Sequence, residues 1–294
     1  MVKKLINVSD LNKEDFFQIF KNIEFLKANR EKVLLDKSIG LIFEKYSTRT
    51  RISFQVGIHQ LFGNAIDIKF EELNLQRVET FEDTFKIFSC YLDAIVYRTD
   101  DHSKIEKAFN YFQKPIINAL SDLSHPCQAI SDIFTLKEKF GRMSDLNVVW
   151  MGDMNNVLYS FAEAADFLEN MNITVFTDRS ISNKKSSYFK KFKCISIKNE
   201  LDFGILKHTD CVMTDVFISM NDVDSNKENL LTKFQVNSVI MDNTKDETVF
   251  MHCLPAKINS EVTEVVIRGP KSIVLKQAEN RLHAQKGILK WLDI

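Results

Sequence analysis

The sequence predicts an α/β protein built of two doubly wound parallel-sheet domains. Two observations carry this. Apolar runs of strand length alternate with amphipathic stretches of helix length along the whole chain. The alternation also restarts after a short polar break, GRMSD at 141–145, which marks a domain boundary. The 294 residues suffice for two domains of ordinary size.

Taken in order, Leu11 to Leu26 is an amphipathic helix and Ser38 to Phe43 (SIGLIF) a buried strand. Thr50 to Phe62 follows as a helix, with Phe54, Ile58 and Leu61 on one face and Gly63 where a C-terminal cap belongs. Ala94 to Tyr97 is a second strand. Ile116 and Ile117, after Pro115, lie in a third, and Pro126 to Phe140 is a helix. After the break, Leu146 to Met151, Ile173 to Thr177, Cys211 to Thr214 and Val249 to His252 read as strands, with Val157 to Asn170 a helix. The final helix runs from Lys276 to Leu292, with Ala278, Leu282, Leu289 and Leu292 as its apolar stripe. The Lys-rich run Ser182 to Lys193 reads as a solvated surface. The domains are thus expected at 1–140 and 146–275, with helix 276–294 packing back on the first.

Apolar residues make up 45 % of the chain, enough for a packed core. A net charge of −1 supplies no basic field to recruit nucleic acid, so an anionic ligand needs a local positive cluster. The five cysteines are odd in number and form no C-x-x-C pair, which argues against a disulfide framework and a structural zinc site. No signal peptide and no run approaching the ~20 apolar residues of a membrane span is seen, so a cytoplasmic protein is expected. No P-loop and no G-x-G-x-x-G is present; neither cofactor nor metal is expected.

Ser47-Thr48-Arg49-Thr50-Arg51 lies between the first strand and its helix. First-turn amides lack internal partners and favour negative charge, so hydroxyls and guanidinium groups there complete a phosphate cradle. N-capping plus two solvated arginines explains the same residues equally well. Position separates the readings. Ligands of open α/β sheets bind beyond the carboxyl ends of the strands. At those ends stand Ser47 to Arg51, Arg98, His125 to Gln128, Gly152 to Asn156, Asp215 with Ser219 and Met220, and His252 to Pro255. Singly, each has a plain structural explanation; Asn156, for one, could be an N-cap. Their shared position points to an interdomain active-site cleft.

STRTR (47–51), YR (97–98), HPCQ (125–128), GDMNN (152–156), DVFISM (215–220), HCLPA (252–256) and AENRLHAQK (278–286) together resemble the aspartate/ornithine transcarbamoylase family, and within it the ornithine branch. The resemblance spans almost the whole chain. It implies a carbamoyl-phosphate domain followed by an amino-acid domain. It implies that Ser47, Thr48, Arg49 and Thr50 hold the phosphate. Arg98, His125 and Gln128 would hold the carbamoyl group, with Cys253, Leu254 and Arg281 nearby. Asn156, Asp215, Ser219 and Met220 would bind ornithine. Active sites at the subunit interfaces of a homotrimer are implied as well.

Two stretches depart from the family pattern: Asn74 with Gln76-Arg77-Val78, in the loop a neighbouring subunit contributes, and Asn221 in place of glycine. The expected reaction is acyl transfer. Arg98 and His125, assisted by Thr50, are the candidate oxyanion donors, while Cys253 and Asp215 are the candidates to position or deprotonate the amine. Two other readings stay open at this point: a transcarbamoylase for another amine such as putrescine or aspartate, and a non-catalytic relative serving as a binding subunit.

Overall fold

A computed structural model describes residues 2–45, 47–73, 79–218 and 226–294. The chain forms two compact units, Met1–Phe134 with Glu279–Ile294, and Thr135–Ala278.

In the first unit, strands β1 (Lys4–Leu5), β2 (Ser38–Phe43), β3 (Asn64–Lys69), β4 (Ala94–Arg98) and β5 (Ile116–Leu120) form a parallel sheet in the order β1-β5-β4-β2-β3. Helices α1 (Lys13–Ala28), α2 (Thr48–Gln60), α3 (Phe81–Tyr91), α4 (His102–Phe112) and α5 (Pro126–Phe140) connect the strands or follow them. The central strands are apolar without alternation because both faces are covered; β2 is buried from Ile39 to Phe43. α3 and α4 cover one side, where Phe85, Ile105 and Phe112 pack with Ile95, Tyr97 and Ile116 of the sheet.

In the second unit, β6 (Asn147–Met151), β7 (Asn172–Phe176), β8 (Ile195–Lys198), β9 (Cys211–Thr214) and β10 (Val249–His252) form another parallel sheet, β10-β9-β6-β7-β8. α6 (Asn156–Ala165) and α7 (Arg179–Phe189) connect its first three strands.

In each sheet the chain runs outward from a central strand to one edge, then returns to that strand's other side. In the first it runs from β2 to β3 and comes back to β4; in the second it runs from β6 through β7 to β8 and comes back to β9. The connections therefore part company between β2 and β4, and between β6 and β9. A crevice opens at such a point, beyond the carboxyl ends of the two strands.

The last helix, Val274–Leu292, brings its C-terminal part onto α1. Trp291 Nε1 donates to Asp15 Oδ1 at 2.8 Å, and Lys286 Nζ donates to the Leu26 carbonyl at 3.3 Å. Gly287 permits the approach: a Cβ there would stand 2.3 Å from Ile23 Cγ1 and 3.0 Å from the Ile19 carbonyl oxygen.

Several elements differ from the sequence reading. α2 starts at Thr48 rather than Thr50, with Ser47 as N-cap. Its end is a Schellman turn in which Phe62, not Gly63, takes the left-handed conformation (φ 67°). The Phe62 N–H donates to the His59 carbonyl and the Gly63 N–H to the Ile58 carbonyl. Gly63 is needed for space instead, since a Cβ would lie 2.8 Å from Leu34 Cβ. α6 ends at Ala165, five residues short of Asn170, which has a positive φ of 52°. The Lys-rich run is not simply solvated. Lys185 pairs with buried Asp153, Lys191 reaches Glu163, and Phe189 and Phe192 are buried.

Candidate active site

The crevice of the first unit is lined by cations. Most helices of this unit neutralise their own N-termini: α1 has the Asn12 cap with Glu14 and Asp15 in its first turn, and α3 has the Thr80 cap with Glu82 and Asp83. α2 has neither. Its first turn contains no acid, and the Ser47 side chain makes no capping bond. Ser47 Oγ instead accepts from Arg98 Nη1 at 3.2 Å, across the gap between β2 and β4. Thr50, also on this turn, is buried; its Oγ1 accepts from Arg281 Nη2 at 2.5 Å. Thr48 and Arg49 are exposed. The first-turn amides thus keep their anion-binding capacity, and two guanidinium groups are fixed beside them. Arg51 is committed elsewhere, to Asp67 at 3.3 Å on the exposed side of the sheet.

His125 follows β5. The turn before it is tied by Ser121 N–H to the Ser124 carbonyl (2.8 Å) and Ser124 N–H to Ser121 Oγ (3.1 Å). Its imidazole is buried, and its pKa lies well below the ordinary histidine value, first through desolvation and then through the Arg281 and Arg98 charges. A neutral ring beside two arginines is a hydrogen-bonding group, not a further cation. In the first turn of α5, burial pushes the Cys127 thiol up to about 12, which leaves it a packing residue. Gln128 is fully buried, and its Nε2 donates to Asp132 Oδ1 at 2.8 Å.

The crevice of the second unit is built around a carboxylate. Asp215 follows β9 and is buried. Its Oδ2 accepts from Asn155 Nδ2 at 2.6 Å, across the gap between β6 and β9. Its Oδ1 accepts from Cys253 Sγ at 3.0 Å. Asn155 is the N-cap of α6, its Oδ1 accepting from the Val157 and Leu158 N–H groups at 3.1 Å. One side chain therefore closes the helix and orients the acid. Asn156, the residue the sequence reading singled out, is the first residue of α6 and not its cap.

The turn carrying Asn155 is held from several sides. Gly152 has φ +114°, and a Cβ there would meet the Phe217 ring at 2.5 Å. Trp150 Nε1 donates to the Asp153 carbonyl at 2.7 Å. The Asp153 carboxylate is buried between Lys227 (2.7 Å) and Lys185 (3.1 Å).

After β10, Leu254 adopts a left-handed φ of 57°, and its N–H donates to His252 Nδ1 at 2.9 Å. Nδ1 must then be bare, so Nε2 carries the proton and donates to buried Glu261 at 3.1 Å. Asp215, His252 and Cys253 each place one ligand-type atom within 4.8 Å of the others. With both ring nitrogens of His252 occupied, that trio does not fit a metal. Ser219 and Met220, and the departures at Asn74, Gln76, Arg77, Val78 and Asn221, lie outside the described residues.

The structure thus brings together Ser47, Thr50, Arg98, His125 and Arg281 in the first unit, and Asp215 with Cys253 in the second. Asn155 was missed by the sequence reading. Its signal was the doubled asparagine after a strand, of which the first is the better cap before the apolar helix residues.

An uncapped helix flanked by arginines in one unit and an acid–thiol pair in the other define an α/β protein equipped for an anion and for a cationic or amine ligand. Residues 3–138 match the family described as aspartate/ornithine carbamoyltransferase, carbamoyl-P binding domain, and residues 144–292 its Asp/Orn binding domain. The chain belongs to the aspartate/ornithine carbamoyltransferase family. It is 39 % identical over 303 residues to the ornithine carbamoyltransferase of Methanococcus maripaludis, covering 98 % of each chain. It is 42 % identical over 264 residues to that of Nitrobacter winogradskyi, covering 89 % of this chain and 85 % of the relative. Among solved structures it resembles the ornithine carbamoyltransferase of Pyrococcus furiosus, with TM-score 0.89, 35 % identity and coverage of 98 % and 96 %. It also resembles the anabolic enzyme of Campylobacter jejuni, with TM-score 0.89, 30 % identity and coverage of 100 % and 99 %.

Proposed function

We propose that this chain transfers the carbamoyl group of carbamoyl phosphate to the side-chain amine of L-ornithine, giving L-citrulline and phosphate. The observation that carries this reading is the open N-terminus of α2, with Ser47 tied to Arg98 and Thr50 tied to Arg281. That arrangement suits a dianionic leaving group attached to a carbonyl.

Ser47, Thr48, Arg49 and Thr50 bind the phosphate, with Arg281 neutralising it from the far side of Thr50. Arg98 and neutral His125 donate to the carbonyl oxygen as charge builds there; one such donor is typically worth about 10²–10³ in turnover. Gln128 and the Leu254 turn hold the rest of the carbamoyl group. In the second unit Asp215, with Asn155 behind it and Cys253 beside it, accepts a hydrogen bond from the amine and aims its lone pair. Asn156, Ser219 and Met220 complete the ornithine contacts.

The amine nitrogen attacks the carbonyl carbon, the C–O bond to phosphate breaks, and one amine proton leaves. An alkyl ammonium titrates near ~10.4, so supplying the neutral amine costs about 4–5 kcal/mol at neutral pH. The departing phosphate is a suitable acceptor for the second proton, since it gains basicity as the C–O bond breaks.

The working form is a homotrimer. Ile52 (51 % exposed) and Val56 (40 %) leave an apolar patch on α2 beside the cradle, of the kind that contacts between copies cover. No helix among the described residues is long and apolar enough to cross a membrane. None of the five cysteines is joined in a disulfide, which suits a reducing cytoplasm.

The test is citrulline formation by the purified protein from ornithine and carbamoyl phosphate, with putrescine and aspartate as alternative amines. Citrulline should dominate. A preference for either other amine would overturn the assignment, and light scattering that reports a monomer would overturn the trimer.

A further inference from the structure

We propose that Asp132 is a positioning residue that makes the site selective for a carbamoyl group over other acyl groups. It does so by fixing which end of the Gln128 amide faces the substrate. The inference rests on the reading of Gln128 as a carbamoyl contact.

Gln128 and Asp132 stand four residues apart on α5, a spacing that brings side chains into contact on one helix face. Both are fully buried, and Gln128 Nε2 donates to Asp132 Oδ1 at 2.8 Å. The orientation follows from the chemistry of the pair. A carboxylate only accepts, so the amide must turn its NH₂ toward Asp132; the reversed amide would set oxygen against oxygen. The amide oxygen is thereby directed away from Asp132. Gln128 Oε1 is buried and has no hydrogen-bond partner among the described residues. A dry acceptor is unfavourable unless a ligand supplies a donor.

Carbamoyl phosphate has one donor group, its NH₂; its carbonyl and phosphate oxygens accept. The charged groups that act on His125, three residues before Gln128, are the donors Arg281 and Arg98, and Arg281 also acts on the adjacent Cys127. The Gln128 oxygen is the complement for the substrate's NH₂. An acyl phosphate with a methyl group in that position would leave the oxygen unpaired, and buried polar groups left unpaired are the strongest basis for rejecting a close analogue. Asp132 touches no substrate in this scheme. It acts by denying Gln128 the flipped state.

The experiment compares the KM for carbamoyl phosphate with the Ki of acetyl phosphate, competitive with it, in the wild type, Asp132→Asn, Gln128→Leu and the double variant. Asparagine can donate as well as accept, so it releases the amide to flip. Asp132→Asn should raise the KM about tenfold and leave the acetyl phosphate Ki within about twofold. The double variant should be no worse than Gln128→Leu alone, because both changes remove one interaction. Equal weakening of both ligands by Asp132→Asn, an unchanged KM, or additive effects in the double variant would overturn the proposal. Should Asp132→Asn fail to fold, Asp132→Ser, which can also donate or accept, reads the same ratio. Unaltered discrimination in Gln128→Leu would overturn the proposal at its premise, the Gln128 contact. Absence of citrulline from the wild type would instead sink the functional reading itself.

Discussion

Arg49, the central residue of STRTR, stands in the open first turn of α2. A planar fork there can grip two phosphate oxygens, whereas lysine offers a point charge. Arg49→Lys should raise the KM for carbamoyl phosphate about 10–100-fold, the range for one charged hydrogen bond; steady-state kinetics at saturating ornithine would show it. For Cys253 the sequence leaves two roles open, base or orienter of the amine. Its thiol donates to Asp215 at 3.0 Å. A serine hydroxyl can make the same bond. Cys253→Ser should therefore leave the apparent pKa values of the pH–rate profile in place, and a shifted alkaline limb would make the thiol the titrating group after all. Asn155 was not legible, because two adjacent asparagines look alike until the helix start is known to within one residue.

At the scale of elements, strands were readable where the run is apolar and buried, the edge strand β10 included, and unreadable at the half-exposed strands β1, β3 and β8. SIGLIF (β2) is apolar throughout. β3 (NAIDIK) is an edge strand with no fully buried residue, and β8 is a four-residue edge whose exposure alternates. α4 went unread although His102, Ile105, Ala108 and Phe112 are its buried stripe and Asp101 caps it. The turn between β6 and α6 offers the sharpest energetic contrast. Asp153 has two lysine partners, but Lys227 is 6 % exposed and Lys185 36 %. Breaking a buried pair strands a charge, at about 3–5 kcal/mol, while a half-exposed pair contributes about 0–1 kcal/mol. Lys227→Met should therefore cost more stability than Lys185→Met, with the remaining lysine holding the loss near 3 kcal/mol. Urea denaturation of the two variants measures this, and equal midpoints would refute it.

Across the whole molecule, two buried histidines set a common pH dependence. Desolvation is the largest cause lowering both His102 and His125, and Arg281 and Arg98 lower His125 further. The unfolded chain titrates near ~6.5 at each, so below that value it binds protons the folded chain refuses. The stability tied to these rings is complete above ~6.5 and is lost as pH falls from there toward the folded values. The melting temperature should drop through this window, and His125→Gln should shallow the drop; an unchanged slope would count against a neutral imidazole. None of this could be read from the sequence, because a histidine's burial depends on what the rest of the fold places over it.

Arg281 has one more implication, concerning synthesis. It belongs to the same compact unit as Thr50, yet all of residues 135–278 are translated between them. A nascent chain can assemble the first sheet early, but it lacks the guanidinium that grips Thr50 until the entire second unit has been made. The growing polypeptide should thus gain its full grip on carbamoyl phosphate only after the second unit has been translated, so ligand affinity reports on synthesis past residue 281.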